Sequence, residues 1–232
     1  GDHRDLHSFP TRRSSDLLAA LIETLLAPLD SAAPVLIAGL GSRSITPDAV
    51  GPRSADHVIA TRHLISRSPE FFTSWRPVSV LAPGVLGQTG VEAGEIVRGV
   101  LDHVRPRAVI AIDALAAGRL SRLVRTVQLA DTGIVPGSGV NNARAALDRQ
   151  TLGVPVVSIG VPTVADGGSL AHEIAQQLDG AQCEALDDLS QPFIITTRDI
   201  DREVADTARL IGYAVNMALQ HISVEEIDLY LS

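Results

Sequence analysis

Apolar and polar positions follow two different periods along the chain, and the period changes from segment to segment. From Leu18 to Leu29 the apolar residues recur every three or four positions, which predicts an amphipathic helix. Pro34 to Gly41 and Val154 to Val161 are continuous apolar runs, typical of buried parallel strands. A second long helix is predicted from about Asp199 to His221.

The remaining segments continue this alternation. Further strands are predicted at Val78 to Ala82, Arg107 to Ile112 and, as an edge strand, Val124 to Leu129. Further helices are predicted at Asp48 to Leu64, Glu92 to Val104, Leu115 to Leu123 and Leu170 to Leu178. Strands that alternate with helices predict an α/β fold with a mostly parallel sheet covered on both faces. In such folds the active site lies at the carboxyl ends of the strands, here the loops after Leu40, Ala82 and Ile112.

The start of the chain has a different character. The run HSFPTRRSSDL, His7 to Leu17, is the translation of one reading frame of a widely used sequencing adapter. We therefore interpret residues 1–17 as a non-native leader and residues 18–232 as a single α/β domain. A genuine basic, Ser-rich leader is the alternative. We expect the leader to make few contacts with the fold and the natural N-terminus to be missing.

Composition excludes several classes of function. The formal net charge of -8 argues against direct nucleic-acid binding, and the 19 basic residues are all Arg, so no Schiff-base or phosphate-loop lysine exists. The single Cys183 excludes an intrachain disulfide and a Cys-rich zinc site. No apolar run is long enough to cross a membrane, so the chain is expected to be cytoplasmic.

Two aspartates are candidates for acid–base chemistry. With Thr46 as N-cap and Pro47 as the first helical residue, Asp48 would lie in the first turn of a helix, where the dipole favours the carboxylate. Asp113 closes the apolar run before it, so partial desolvation would favour its neutral form. Either residue could instead only stabilise a helix start. Together at one sheet edge they could activate water, Asp48 as base and the more buried Asp113 as acid.

Other candidate motifs are weaker. The GLGSRS run at Gly39 has Ser44 where a dinucleotide fingerprint needs its third glycine. Ser138 lies in PGSG, which is not a nucleophile elbow, although this turn could present backbone N–H groups to a substrate carbonyl. His57 and His63 are six positions apart, so they do not share a helix face as metal ligands. We expect no metal and no cofactor.

Several long motifs resemble the germination protease family. They are GLGSRSITPDAVGP (Gly39 to Pro52), RPVSVLAPGVLGQTGVEAGEIVRGV (Arg76 to Val100), VIAIDALAAGRLSRL (Val109 to Leu123) and QLADTGIVPGSGVNNAR (Gln128 to Arg144). The resemblance is dense from Val35 to Asp166 and returns more loosely at Pro192 to Leu219.

The resemblance implies a function and a fold. It implies an atypical aspartic endopeptidase that degrades small acid-soluble spore proteins in the spore core during germination. It further implies synthesis as a zymogen, a homotetramer, and a three-layer α/β/α sandwich like that of hydrogenase-maturation proteases. The two essential aspartates of the family correspond to Asp48 and Asp113. We assign a tentative substrate-binding role to Asp131, Ser138 and Gly139.

Two other functions remain open. In the first, Asp48 and Asp113 hold a divalent metal ion in a maturation-type peptidase. In the second, the chain is a non-catalytic relative that binds spore components. Loss of activity to a chelator and its return with metal would favour the first.

Overall fold

The continuous apolar runs of the chain form the central strands of one sheet. The computed structural model describes residues 12–137, 145–168, 170 and 193–232. Within them the strands are β1 (Val35–Gly39), β2 (Val78–Leu81), β3 (Ala108–Ala116), β4 (Gln128–Ala130), β5 (Val156–Asp166) and β6 (Ile194–Ile195). Strands β1 and β3 are almost wholly buried, as expected for strands covered on both faces.

The six strands form one mixed sheet in which the three central pairings are parallel. The order is β2-β1-β3-β5-β4, with β6 paired to the far end of β5. The β1–β2, β1–β3 and β3–β5 pairs are parallel, whereas β4 and β6 run antiparallel to β5. The predicted mostly parallel sheet is therefore confirmed, and β1 and β3, whose carboxyl ends carry the candidate loops, are neighbours.

Helices cover both faces of the sheet. They are α1 (Arg12–Leu26), α2 (Val50–Asp56), α3 (Arg62–Arg67), α4 (Pro69–Phe72), α5 (Leu86–Thr89), α6 (Ala93–Val104), α7 (Arg149–Leu152), α8 (Ile200–Gln220) and α9 (Val224–Leu231). Short 3-10 turns lie at Thr46–Asp48 and Leu120–Arg122. None of the described helices combines the length and apolar character that a bilayer crossing requires.

Alternate residues of each central strand belong to two separate cores. Residues of α1, α2 and α8 pack on one face, against Ile37, Ile110 and Ile159. Residues of α6 and α7 pack on the other, against Leu36 and Val109. Because strand side chains alternate between faces, one strand supplies both cores. The α/β/α layering is therefore as expected.

Helix α2 is held close to the sheet by glycines. A Cβ on Gly51 would lie 2.2 Å from the Leu40 carbonyl oxygen and 2.4 Å from that of Ile112. On the other side of α2, a Cβ on Gly212 of α8 would lie 2.4 Å from the Cβ of His57. These two glycines let α2 pack closely between the strand ends and α8. The position of α2 in turn fixes the end of the loop that connects it to β1.

The predicted helix from Asp48 to Leu64 is interrupted. Its α-helical part ends at Asp56, and α3 starts only at Arg62. The buried Asn216 of α8 accepts a hydrogen bond from the Ile59 N–H (2.9 Å) and donates one to the His57 carbonyl (2.7 Å). Because this side chain satisfies the backbone groups at the end of α2, the chain can leave the helix while buried.

Strand β3 is longer than predicted, and the predicted helix from Leu115 to Leu123 is wrong. The strand continues through Asp113 to Ala116, because β5 continues beside it and pairs with each residue up to Leu115. Gly160, the partner of Asp113, leaves space that the Leu115 side chain fills. Only the 3-10 turn Leu120–Arg122 remains of the expected helix.

Helix α1 starts earlier than predicted. It begins at Arg12, inside the adapter-like run, and Ser15 is buried on its inner face with Leu18, Ala19 and Ile22. Residues 12–17 continue this helix because a helix already formed is extended at little free-energy cost, and Ser15 is the buried side chain among the described residues of the run, so the expectation of few contacts stays a prediction. Residues 1–11 lie outside the described part of the chain, as does the predicted helix from Leu170 to Leu178, apart from Leu170.

Candidate active site

The loop that follows β1 closes on itself. Residues 41–48, here the 41–48 loop, connect β1 to α2. Gly41 has φ +106°, and a Cβ there would lie 2.1 Å from the Asp48 carbonyl oxygen and 3.0 Å from its Oδ1. Only glycine fits this backbone and this approach. A side chain at Gly41 would therefore collide with Asp48.

Asp48 lies in the 3-10 turn Thr46–Asp48 and not in the first turn of a helix. Helix α2 starts at Val50, and Thr46 is not an N-cap, because the cap of the 3-10 turn is Ile45 without a side-chain bond. The Asp48 Oδ2 instead accepts a hydrogen bond of 2.6 Å from the Ser42 N–H. This charge-assisted bond joins the two ends of the 41–48 loop and orients the carboxylate.

Side chains from three other elements hold the 41–48 loop. The Ser42 hydroxyl, in a residue that is 1% exposed, lies 2.9 Å from the Ser44 hydroxyl. The Gln88 amide of α5 donates to both hydroxyls, at 2.9 and 3.1 Å. The Thr46 hydroxyl donates to Asp201 Oδ1 of α8 at 2.8 Å.

An ion pair completes the support of this loop. Arg43 donates two hydrogen bonds to Asp56 at the end of α2, one of them 2.7 Å long. The hydrogen bond to Asp56 raises the pKa of Arg43, although partial burial of the guanidinium opposes this. The pair is about half exposed, so its contribution to stability is small, and its effect is mainly on the geometry of the loop.

Asp113 is placed by strand pairing. It lies within β3, opposite Gly160 of β5, and is 4% exposed. Its Oδ1 accepts a hydrogen bond of 2.9 Å from the N–H of Ala114. Strand alternation puts its side chain on the same face as Val109 and Ala111, the face that α6 covers. Asp48 is partly exposed, so the expectation that Asp113 is the more buried aspartate is confirmed.

Both aspartates lie at the carboxyl edge of the same pair of strands. Gly39 of β1 is in register with Ile112 of β3, and the Leu40 N–H donates to the Ile112 carbonyl at 2.8 Å. A cavity of about 80 Å³ opens beside Asp48 at this edge. It is lined by Pro47, Asp48, Ala114, Leu115, Ala116, Gly137, Thr163 and Val164. Asp48 therefore shares a cavity with the residue that follows Asp113.

The loop after β4 contributes to this cavity through Gly137. Asp131, at the start of that loop, is exposed, and it is not among the residues that line the cavity. Ser138 and Gly139 lie outside the described residues. Gly137 thus brings the described part of this loop to the cavity.

A buried carboxyl and a partly exposed one differ in the way that general acid–base catalysis requires of its two groups. Among the residues that the structure describes, no group of three or more His, Cys, Asp or Glu side chains is arranged to hold a metal ion.

His57, one of the two histidines considered as metal ligands, packs edge-on against Tyr213, with ring centroids 6.2 Å apart. Burial is the main cause that lowers the pKa of His57, and the positive charge of Arg209 is the second.

Sequence reasoning did not assign a role to three residues that support the site, namely Ser42, Gln88 and Asp201. Ser42 carries one signal, because a small polar residue between a strand-terminal glycine and a helix start is typical of side chains that bond the backbone. Gln88 and Asp201 lie 40 and 153 positions from Asp48 in sequence, and spacing alone gives no signal for either.

Comparison with known proteins gives consistent matches. The germination protease family model matches residues 8–179. The germination protease of Caldanaerobacter subterraneus subsp. tengcongensis is 40% identical, over 90% of this chain and 72% of that protein. That of Clostridium tetani is 35% identical, over 98% and 80%, and that of Bacillus velezensis 45% identical, over 73% and 46%.

A solved structure also matches. It is a [NiFe] hydrogenase maturation protease, HycI, from Thermococcus kodakarensis KOD1. The match has 16% sequence identity and a TM-score of 0.46, and it covers 84% of this chain and 99% of that one.

Proposed function

The chain belongs to the germination protease family, and from this membership we propose that it is an endopeptidase that degrades small acid-soluble spore proteins. We propose Asp48 and Asp113 as the carboxylate pair that activates water. The observation that carries this proposal is the shared edge of β1 and β3, where Asp48 lines a cavity together with Ala114, the neighbour of Asp113.

The two carboxylates have different surroundings, and this supports different roles. Asp48 accepts the Ser42 N–H and is partly exposed, and both conditions favour an ionised carboxylate that can serve as general base. Asp113 is buried in the strand, where desolvation favours the neutral acid. Proton transfer from two such groups typically contributes about 10² to 10⁴ in rate each.

The proposed reaction is hydrolysis of a peptide bond. Asp48 removes a proton from water as the water oxygen bonds to the scissile carbonyl carbon. Asp113 donates its proton toward the leaving amine nitrogen as the carbon–nitrogen bond breaks. Transfer of the proton now on Asp48 back to Asp113 restores both groups. The Gly-rich loop that contains Ser138 and Gly139 is our proposed binding region for the substrate carbonyl, with Asp131 at its rim.

The family resemblance extends the proposal to assembly and location. We propose that the protein is made as a zymogen, assembles as a homotetramer and acts in the spore core. Sedimentation of the purified protein tests the assembly, because a monomer at working concentration would contradict it.

The function is tested by incubating the purified protein with a small acid-soluble spore protein and identifying the products by mass spectrometry. Internal cleavage that continues in excess chelator is the expected result. Activity that chelator abolishes and a divalent ion restores would instead indicate a metal-assisted peptidase. Binding without cleavage would indicate a non-catalytic relative.

A further inference from the structure

Ser42 connects the catalytic loop to a second loop of the protein. Its backbone N–H donates to Asp48 Oδ2 at 2.6 Å, so the position of this peptide group contributes to the orientation of the carboxylate. Its hydroxyl is buried with the rest of the residue and lies 2.9 Å from that of Ser44. A side chain that fixes these two hydroxyls therefore also fixes the Ser42 N–H that donates to Asp48.

Gln88 holds the hydroxyl pair. It belongs to α5, in the loop that follows β2, and its amide donates to Ser42 Oγ at 2.9 Å and to Ser44 Oγ at 3.1 Å. A carboxamide has two N–H groups in one plane, so a single side chain can bind both hydroxyls together. Within the loop, the Ser44 N–H also donates to Ser42 Oγ, at the longer distance of 3.4 Å.

The side from which Gln88 approaches is informative. In the sheet order, β1 lies between β2 and β3. Gln88 reaches the 41–48 loop from the β2 side, whereas Asp113 and the shared cavity lie on the β3 side. Gln88 is not among the residues that line this cavity. It therefore contacts the catalytic loop at the back, away from the water that Asp48 would activate.

We propose that Gln88 is a positioning residue for Asp48, which it acts on through the Ser42 hydroxyl and the Ser42 N–H. This inference rests on the proposed function. Loss of the amide lets the Ser42 peptide rotate, which weakens the hydrogen bond to Asp48 Oδ2. The carboxylate then moves away from the orientation in which it can take a proton from water. Displacements of this size, about 1 Å, can lower turnover by up to about a hundredfold.

The test is Gln88→Ala, with Thr89→Val as its matched control. Thr89 is the next residue of α5, but its hydroxyl bonds only Val85 and Val91 of its own loop. We expect Gln88→Ala to lower kcat about tenfold with KM changed less than twofold, and Thr89→Val to change neither. Because Gln88 is exposed, the Gln88→Ala variant should keep the melting temperature of the parent protein.

A second variant separates loss of the hydrogen-bond donors of Gln88 from loss of its side-chain volume. Gln88→Met keeps the length of the side chain but loses the N–H donors, so kcat should fall about as far as in Gln88→Ala. Full activity of Gln88→Met would overturn the proposal. So would a rise in KM at unchanged kcat, which would place Gln88 in contact with substrate, or unchanged kinetics in Gln88→Ala.

A measurement without substrate distinguishes failure of this inference from failure of the proposed function. The carboxyl carbon of Asp48 is titrated by NMR, assigned by its loss in Asp48→Asn. The other charged groups around the turn, Asp113, Asp201 and the Arg43–Asp56 pair, are unchanged in Gln88→Ala. Since the Ser42 N–H favours the ionised carboxylate, Asp48 should titrate at higher pH in Gln88→Ala than in the parent protein.

The titration of Asp48 and the kinetics of the variants together distinguish the positioning role of Gln88 from the catalytic role of Asp48. An unchanged titration of Asp48 in Gln88→Ala overturns the positioning role whatever the kinetics show. A shifted titration in a protein whose Asp48→Asn variant still cleaves substrate supports the positioning role and overturns the catalytic assignment of Asp48.

Discussion

Asp48 and Asp113 lie at the same edge of the sheet but are supported in opposite ways. Asp113 is part of a strand ladder, paired opposite Gly160 and buried between helices and sheet. Asp48 lies on a short loop whose shape depends on side chains, among them Gln88 from one side and Asp201 from the other. Backbone pairing fixes the first aspartate, and tertiary hydrogen bonds fix the second.

This difference shows where the site can be adjusted. A strand residue cannot move without disturbing the ladder, so Asp113 is the more rigidly held of the two aspartates. The 41–48 loop can shift by small amounts when any one of its side-chain bonds is lost. We therefore expect changes near Asp113 to act on stability and activity together, and changes near Asp48 to act mainly on activity.

The largest effect is expected from changing the carboxylates themselves. Asp113→Asn and Asp48→Asn should each lower kcat by at least about a hundredfold, because each removes a proton-transfer group at nearly constant volume. Circular dichroism and thermal melts should show folded protein in both cases. Asp102→Asn, an exposed change in α6, is the control and should keep full activity. Near-normal turnover in either variant would remove that residue from the pair.

The next largest effect is expected at Gly41. Gly41→Ala combines positive φ with a collision against the Asp48 carbonyl, so it should lower the free energy of unfolding by about 1–3 kcal/mol and nearly abolish activity. Gly153→Ala is the matched control, since φ there is +75° and no atom lies within 4 Å of the added Cβ. It should lower stability by about 1 kcal/mol and leave kcat unchanged.

Urea titrations and steady-state kinetics on both glycine variants check this. Equal loss of activity in the two variants would mean that Gly41 has no particular relation to Asp48.

A smaller effect is expected from the α8 side of the 41–48 loop. Thr46→Val keeps the shape of the side chain but removes the donor to Asp201, so kcat should fall about two- to fivefold with stability within about 0.5 kcal/mol of the parent. Thr126→Val, whose hydroxyl bonds only the nearby Arg122 carbonyl, serves as the control. A fall in stability larger than the fall in activity would contradict the difference between the two aspartates.

The smallest effect is expected at the start of the chain, which supports neither aspartate. Deleting residues 1–11 should leave the melting temperature unchanged. Deleting residues 1–17 removes Ser15, the one buried side chain among the described residues 13–17, and should change stability by less than about 1 kcal/mol. Comparing the two melts isolates the six helical residues 12–17. A larger drop for the longer deletion would show that this turn of α1 belongs to the fold.

Much of the fold could be predicted from apolar patterning. The long helix predicted from Asp199 to His221 is α8 (Ile200–Gln220), with those two residues as its caps. The buried runs became β1, β3 and β5, because only strands covered on both faces carry such continuous apolar sequence. The loops after β1 and β2 were also placed correctly, whereas the loop expected after Ile112 is the last part of β3.

The tertiary structure decided what local patterns could not. Whether Asp113 ended a strand or continued it depended on β5, a partner that begins more than 40 residues later. Whether the segment after Asp48 stayed helical depended on Asn216 of α8, which satisfies the backbone where α2 ends. Sequence by itself determined which residues form the buried strands, and thereby the edge of the sheet near which Asp48 and Asp113 lie, because burial follows from hydrophobic pattern. The orientation of Asp48 depended on hydrogen bonds from distant side chains, whose partners exist only once the chain has folded.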